Sequence, residues 1–180
     1  ILALSFAIIT GFMVVEFVSG YWFNSLALMA DAGHMANDSL SLFLALLALF
    51  LSAQKQRYIA LLNSGSLIVV ALMILVEAIQ LWQNPIEMMA LPMLGVASLG
   101  LLVNLLVAKM MLNSDHDNLN IKAAYLHVLT DLFGSVIAIL SGLGAYFLGW
   151  QWVDPLASMI LSVLVLKSGI EAFRLALKNT

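Results

Sequence analysis

Apolar residues in this chain form long, nearly unbroken runs that short polar stretches separate. Six such runs occur, at about residues 2–22, 27–51, 60–82, 88–112, 119–147 and 155–176. Each approaches the roughly 20 residues that an α-helix needs to cross the hydrocarbon core of a bilayer. In lipid every backbone polar group must be satisfied within its own segment, which a helix achieves. The pattern therefore predicts an all-α membrane protein with six transmembrane helices.

The composition supports this class and restricts the chemistry. Hydrophobic residues make up 63% of the chain, charged residues only 9%, and the mean hydropathy is +1.06, which excludes an ordinary water-soluble domain. We expect one transmembrane domain over residues 1–180. The chain has no cysteine, so a bound metal ion would be held by nitrogen and oxygen ligands. The net charge of −3 comes from few, scattered charges and gives no indication of a nucleic-acid partner.

The basic residues predict the orientation in the membrane. All seven lie between predicted spans 2 and 3, between spans 4 and 5, or toward the end of span 6: Lys55, Arg57, Lys109, Lys122, Lys167, Arg174 and Lys178. The positive-inside rule then places both termini in the cytoplasm. Tyrosine and tryptophan cluster at the opposite ends of the spans, as in an interfacial aromatic belt: Tyr21, Trp22, Trp82, Trp150 and Trp152.

Three short polar segments are candidates for turns and helix ends. Residues 52–58 are predicted to form a cytoplasmic turn, and residues 113–118 are the most polar stretch of the chain. Asp154 is predicted to cap the sixth helix, with Pro155 at its first position. His116 could bind a metal ion weakly, but a solvated helix entrance is the favoured interpretation.

Two His-x-x-x-Asp pairs lie inside predicted spans 2 and 5: His34 with Asp38, and His127 with Asp131. Ionisable groups in the hydrocarbon layer are costly, so four of them require a compensating partner. Residues four apart share a helix face, and the predicted topology makes the two spans antiparallel. His34 should then lie near the level of Asp131. Two imidazoles and two carboxylates form a set that suits tetrahedral Zn²⁺.

The predicted depth of these residues agrees with a transport site. If span 2 begins near Ser25, His34 and Asp38 lie about 13 and 20 Å below the outer boundary of a core about 30 Å thick. Substrate sites of secondary transporters lie near this midplane. An isolated polar residue in a span is often only a hydrogen-bonding partner between helices, but two identically spaced pairs are less easily explained in that way.

The remaining polar residues of the spans allow more than one interpretation. Asp31 precedes His34 by three residues, and it could orient an imidazole, line an outer path for the ion, or serve a structural role. Glu16 and Glu77 could each line a water-filled path or bond to a neighbouring helix, and the sequence does not decide between these. Asn63 and Asn104 are predicted to bond between helices.

Longer motifs resemble a known family. The segments SLALMADAGHMAND (25–38) and LNIKAAYLHVLTDLFGS (119–135), with Asp154 and Pro155 before span 6, are similar to the cation diffusion facilitators, in particular their zinc-transporting ZitB/ZnT-like branch. The resemblance covers essentially the whole chain. It implies a six-helix transmembrane domain, a homodimer, and export of Zn²⁺ from the cytoplasm in exchange for protons.

The resemblance also assigns the transport-site ligands. They match His34, Asp38, His127 and Asp131, while Asp31 matches a family position that is not a ligand. Family members usually continue into a cytoplasmic C-terminal domain, which we expect to be absent from this chain because it stops at Thr180. A long His-rich loop and the metal-binding His of the turn between spans 2 and 3 in some members are also missing.

A transport mechanism follows from the ligand chemistry. Imidazole and carboxylate must be deprotonated to bind zinc, so zinc and protons compete for the site. Zinc is then the transported substrate rather than a cofactor, and we expect a multi-pass protein of the bacterial cytoplasmic (inner) membrane. The alternatives are export of Cd²⁺, Co²⁺ or Mn²⁺, a cation channel, and an integral-membrane metalloenzyme. The His-Glu-x-x-His signature of such an enzyme is missing, so we expect no enzymatic activity.

Overall fold

The fold is taken from a computed structural model, which describes residues 2–47, 50–112 and 119–178; within these ranges it excludes the side chains of residues 2, 37–38, 41–42, 44–47, 111–112 and 119–130. The described part contains six helices: α1 (Leu2–Trp22), α2 (Leu26–Leu47), α3 (Ala53–Gln83), α4 (Ala90–Leu112), α5 (Leu119–Leu148) and α6 (Val153–Lys178). The prediction of an all-α, six-helix architecture is confirmed. The bounds of α1 match the first predicted span.

Within the described residues, five segments are long and apolar enough to cross a membrane. They lie in α1, α3, α4, α6 and the part of α5 from Asp131 to Leu148. Helix α2 is not among these five segments; its 22 residues include Asp31, His34 and Asp38. We therefore retain α2 as the sixth span on the strength of its length and its position among the other helices.

Two predicted helix starts are corrected by the structure. The segment predicted as a turn at 52–58 is mostly helical, since α3 begins at Ala53. Gln, Lys and Arg are good helix formers, and a helix of 31 residues is about 46 Å long, which exceeds a core of about 30 Å. Helix α6 begins at Val153, so Asp154 lies in its first turn instead of capping it, and Pro155 follows inside that turn, where a missing N–H is tolerated.

Helix α2 occupies the centre of the bundle. It packs against α1, α3, α5 and α6, while α4 packs against α1 and α5. Its contacts use small side chains: Ala27, Ala30 and Ala32 are buried, and they let neighbouring backbones approach closely. Large apolar side chains such as Val14, Phe17 and Leu102 cover the outside of the bundle, as expected of a surface that faces lipid.

Three turns lie together at one end of the bundle. The Met89 N–H donates to the carbonyl of Phe23 at 3.1 Å, and the Met88 N–H donates to Oε1 of Gln151 at 3.1 Å. Trp82 and Trp152 meet edge to face at this end, with ring centroids 6.0 Å apart. The predicted clustering of these aromatic residues is therefore present, and Lys55 and Arg57 lie at the other end of α3.

Candidate metal centre

The site begins with the way in which α2 presents its polar residues. Asp31 and His34 are one turn apart, so they point in similar directions toward the interior of the bundle. Asp31 is 0% exposed and the side chain of His34 is 14% exposed. The apolar neighbours Ala30, Ala32 and Met35 complete the buried surface of this part of the helix.

Helix α5 supplies a facing carboxylate. Asp131 is buried, and its Oδ1 lies 3.8 Å from Nε2 of His34 across the contact between α2 and α5. This separation exceeds the usual hydrogen-bond range of about 2.7–3.2 Å. It is close to the spacing of about 3.4 Å that a nitrogen and an oxygen adopt when both bind one tetrahedral zinc ion at about 2.1 Å. The structure therefore brings together one ligand from each predicted pair.

The other two predicted ligands, Asp38 and His127, have side chains outside the described part of the structure. Their backbones belong to α2 and α5, one helical turn from His34 and Asp131 respectively. Among the side chains that the structure describes, no three His, Cys, Asp or Glu residues are arranged to hold a metal ion. His116 also lies outside the described residues. The complete four-ligand site remains a prediction.

Asp31 is packed against the backbone of α5. A Cβ atom added to Gly134 would overlap its Oδ1, so the glycine makes room for the carboxylate. Neither oxygen of Asp31 has a hydrogen-bond partner among the described residues. A buried carboxylate without such partners is unfavourable unless a cation or a proton compensates it. The sequence left the role of Asp31 open, and the structure places it inside the bundle beside the α2–α5 contact.

A third buried carboxyl comes from α1. Glu16 is buried, and a Cβ atom added to Gly100 of α4 would lie 2.6 Å from its Oε1. Glu16 is close enough to Asp31 and Asp131 to interact with both electrostatically. Buried carboxyls from α1, α2 and α5 thus interact with one another in the interior of the bundle. Because like charges in a low-dielectric interior repel strongly, a cation or bound protons would stabilise them.

Glu77 differs from Glu16 in its surroundings. It lies on an exposed face of α3, in a shallow groove with Met73, Val76 and Gln80. The two acids were equivalent candidates in the sequence, and only Glu16 faces the centre of the bundle. Whether each acid faces inward or outward depends on the rotation of its helix about its own axis. The sequence does not reveal this rotation, because both acids are single polar residues in otherwise apolar runs.

A hydrogen bond between α4 and α5 lies next to this cluster. The side-chain amide of Asn104 donates to Oγ of Ser135 at 3.1 Å, and both residues are buried. Ser135 directly follows Gly134 in α5. The prediction that Asn104 bonds between helices is confirmed, whereas its partner was not predicted, because a single serine in an apolar helix carries no distinguishing signal.

Comparison with known proteins adds an independent line of support. The family model described as the cation efflux transmembrane domain matches residues 2–179. The chain belongs to this family. It is a cation efflux transmembrane domain of six helices, and its relatives are bacterial, so we assign it to the bacterial inner membrane as a multi-pass protein.

Curated relatives are similar over almost all of the chain. It is 44% identical to the cadmium, cobalt and zinc/H⁺-K⁺ antiporter of Bacillus subtilis (strain 168), over 94% of this chain and 59% of the relative. It is 39% identical to the zinc transporter ZitB of Escherichia coli (strain K12), over 91% of this chain and 56% of the relative. The chain therefore spans less than two thirds of the length of these cation efflux proteins.

Proposed function

We propose that the chain is the membrane domain of a transporter that exports Zn²⁺ from the cytoplasm in exchange for protons. His34, Asp38, His127 and Asp131 hold the ion in a four-coordinate site between α2 and α5. The observation that carries the proposal is the approach of His34 Nε2 to Asp131 Oδ1 at 3.8 Å in the buried centre of the bundle. Each of these residues has its predicted companion ligand one turn away.

Transport follows from competition between zinc and protons for these groups. When the site is open to the cytoplasm, neutral imidazoles and ionised carboxylates bind the ion, and the two carboxylates balance its charge. After the helices rock to the outward-facing state, protonation of the histidines lowers the affinity and releases zinc. The inward proton gradient then drives export. The side chains of His34 and Asp131 hold the ion, while Glu16 and Asp31 add negative potential around it.

Other divalent cations are the alternative substrates. The relative from B. subtilis is named as a transporter of cadmium and cobalt as well as zinc, with exchange for protons and potassium. Mn²⁺ is a third alternative substrate for the proposed set of two histidines and two aspartates.

We also expect a homodimer, as the family resemblance implies, and light scattering in detergent would measure its mass.

The test of this proposal is metal uptake into sealed inside-out vesicles with an acidic lumen. Wild-type protein should accumulate Zn²⁺, and Asp38→Ala and Asp131→Ala should abolish the uptake because each removes a charged ligand. Glu77→Gln is the matched control: it removes an acid from an exposed face of α3, and uptake should be unchanged. Uptake that survives both aspartate substitutions would contradict the proposed site.

Potassium provides a second arm of the same experiment. The vesicles are prepared with equal pH on both sides and potassium chloride in the lumen only. Zinc uptake under these conditions would indicate exchange for potassium, as in the name of the relative from B. subtilis. We expect uptake to require the proton gradient and to be unaffected by potassium.

A further inference from the structure

The carboxylate of Asp154 makes an unusually rich set of contacts for a residue outside the metal site. It is 3% exposed and lies in the first turn of α6. Its Oδ2 accepts the Leu26 N–H at 3.0 Å, and its Oδ1 accepts the Ala27 N–H at 3.4 Å. These are first-turn N–H groups of α2, which have no partner within that helix. Asp154 therefore caps α2 rather than its own helix.

Two serines extend this contact. Ser25, which directly precedes α2, donates its Oγ–H to Oδ1 of Asp154 at 2.8 Å and accepts the Leu28 N–H at 3.3 Å. Ser141 of α5 donates its Oγ–H to the same Oδ1 at 3.3 Å. One buried carboxylate thus joins α2, α5 and α6. We call these three side chains, Ser25, Ser141 and Asp154, the α2–α5–α6 joint.

The joint and the metal site lie on the same two helices. From Ser25, His34 is nine residues along α2, which corresponds to about 13.5 Å; from Ser141, Asp131 is ten residues back along α5, or about 15 Å. The two antiparallel helices therefore leave the joint in register, and the two ligands arrive at nearly the same level. The observed contact between His34 and Asp131 agrees with this register.

A change of one residue in this register would separate the ligands. A shift of one position moves a side chain by about 1.5 Å along the axis and by about 100° around it. Zinc ligands must meet within a few tenths of an ångström of their preferred distances. Small buried side chains, among them Ala27, Ala30 and Ala138, let the helices approach closely, and the hydrogen bonds of the joint add fixed points between them.

We propose that Asp154 is a positioning residue for metal binding, which sets the heights of the ligands on α2 and α5 through the joint. The inference rests on the proposed function, since it requires the metal site between these helices. Asp154 contacts Ser25, which is about 13.5 Å from His34 along the axis of α2, so it does not bind the same ion.

The test is the dissociation constant for Zn²⁺ of monodisperse protein in lipid nanodiscs, measured by competition with a fluorescent chelator. Groups that orient metal ligands typically contribute about 10- to 100-fold to metal affinity. We expect a weakening of this size in Asp154→Ala. Asp154→Asn should weaken zinc binding less. Its amide oxygen can still accept the hydrogen bonds made to Oδ1, and mainly the bond from the Leu26 N–H to Oδ2 is lost. Ser141→Ala should also weaken binding, by removing one bond of the joint.

Ser158→Ala is the matched control. Ser158 is buried one turn further along α6, and among the described residues its Oγ–H bonds to the carbonyl of Asp154 within its own helix. It should lower the unfolding temperature slightly and keep the wild-type affinity for zinc. If Asp154 contributed to stability alone, Asp154→Ala would likewise lower the unfolding temperature and keep the wild-type affinity for zinc. Wild-type affinity in folded Asp154→Ala would therefore overturn the inference. Equal weakening by Asp154→Asn and Asp154→Ala would also overturn it, since charge rather than register would then be responsible.

Three variants besides Asp154→Ala keep the outcomes distinct. If Asp154→Ala does not fold, Asp154→Asn and Ser141→Ala decide, and wild-type affinity in both would overturn the inference. His34→Ala tests the site itself. If His34→Ala loses zinc while the joint variants retain it, the positioning role fails and the proposed function stands. If His34→Ala binds zinc like the wild type, the proposed ligand set is wrong.

Discussion

At the scale of single residues, the centre of the bundle is defined by carboxyls that are packed against glycines. Asp31 lies against Gly134, and Glu16 lies against Gly100. These carboxyls are buried close to backbone, where a methyl group would already be too large. The fit explains how Asp31 and Glu16 are accommodated where neighbouring helices pack closely.

The first prediction concerns this fit. Gly134→Ala should destabilise the protein by about 1–3 kcal/mol, as overpacking in a core does. Gly95→Ala is the control, because nothing lies within 4 Å of its added Cβ and alanine favours the helix. Unfolding of both variants in bicelles would measure the difference. The double variant Asp31→Ala/Gly134→Ala should recover part of the loss, and strictly additive effects would contradict the overlap.

The second prediction concerns the ligand type at His34. His34→Asp replaces a nitrogen ligand by oxygen, which should loosen selectivity toward larger or harder ions, so the ratio of Zn²⁺ to Cd²⁺ or Mn²⁺ uptake should fall. Uptake of each metal into inside-out vesicles gives this ratio. His34→Ala, which removes the ligand without replacing it, should lose uptake of all three ions. If His34→Asp kept the wild-type uptake ratio, His34 would not determine which metal ion the site selects.

At the scale of helices, polar bonds hold apolar segments in fixed pairs. The hydrogen bond from Asn104 to Ser135 joins α4 to α5, and the α2–α5–α6 joint connects the helices that carry the metal ligands. Helices that are apolar on all sides have no hydrophobic preference for a partner within lipid. Close packing of small residues and such bonds therefore determine the pairs.

The third prediction belongs to this scale. In a double-mutant cycle, Asn104→Ala and Ser135→Ala should show a coupling energy of about 0.6 kcal/mol, the average for hydrogen bonds between membrane helices. Unfolding in bicelles gives the four stabilities. Ser64→Ala is the control partner, because its Oγ–H bonds to the Ala60 carbonyl within α3. Coupling of Asn104 to Ser64 equal to its coupling to Ser135 would refute the interhelical bond.

At the scale of the whole molecule, charge is separated between the two ends of the bundle. The turns after α1, α3 and α5 are linked at the aromatic end, whereas Lys55 and Lys109 lie toward the opposite end. This separation supports the prediction of cytoplasmic termini. In that predicted orientation, the proposed export would run from the basic end to the aromatic end.

The fourth prediction tests exchange against passive conduction. When zinc is added outside inside-out vesicles with an acidic lumen, the luminal pH should rise as zinc enters, because each ion is exchanged for protons. A pH-sensitive dye in the lumen measures the change. Vesicles containing Asp131→Ala should show no zinc-dependent rise. Zinc entry without a rise in luminal pH would indicate a channel and would contradict antiport.

The sequence by itself determined the class of the protein, the number of its helices and the ligands that are candidates for zinc. These properties are local: hydropathy adds up along a run, and His34 and Asp38 share a face because of helical geometry alone. The predicted start of α3 was wrong. A helix can continue beyond the bilayer through polar residues, and a hydropathy pattern leaves such residues outside the predicted span.

Only the tertiary structure decided which polar groups meet. Glu16 faces inward and Glu77 outward, and Asp154 caps α2 instead of its own helix. Runs that are apolar on every side contain no amphipathic pattern from which the inward face could be identified. The rotation and register of each helix arise from contacts with residues distant in the chain, and no spacing within one helix records them.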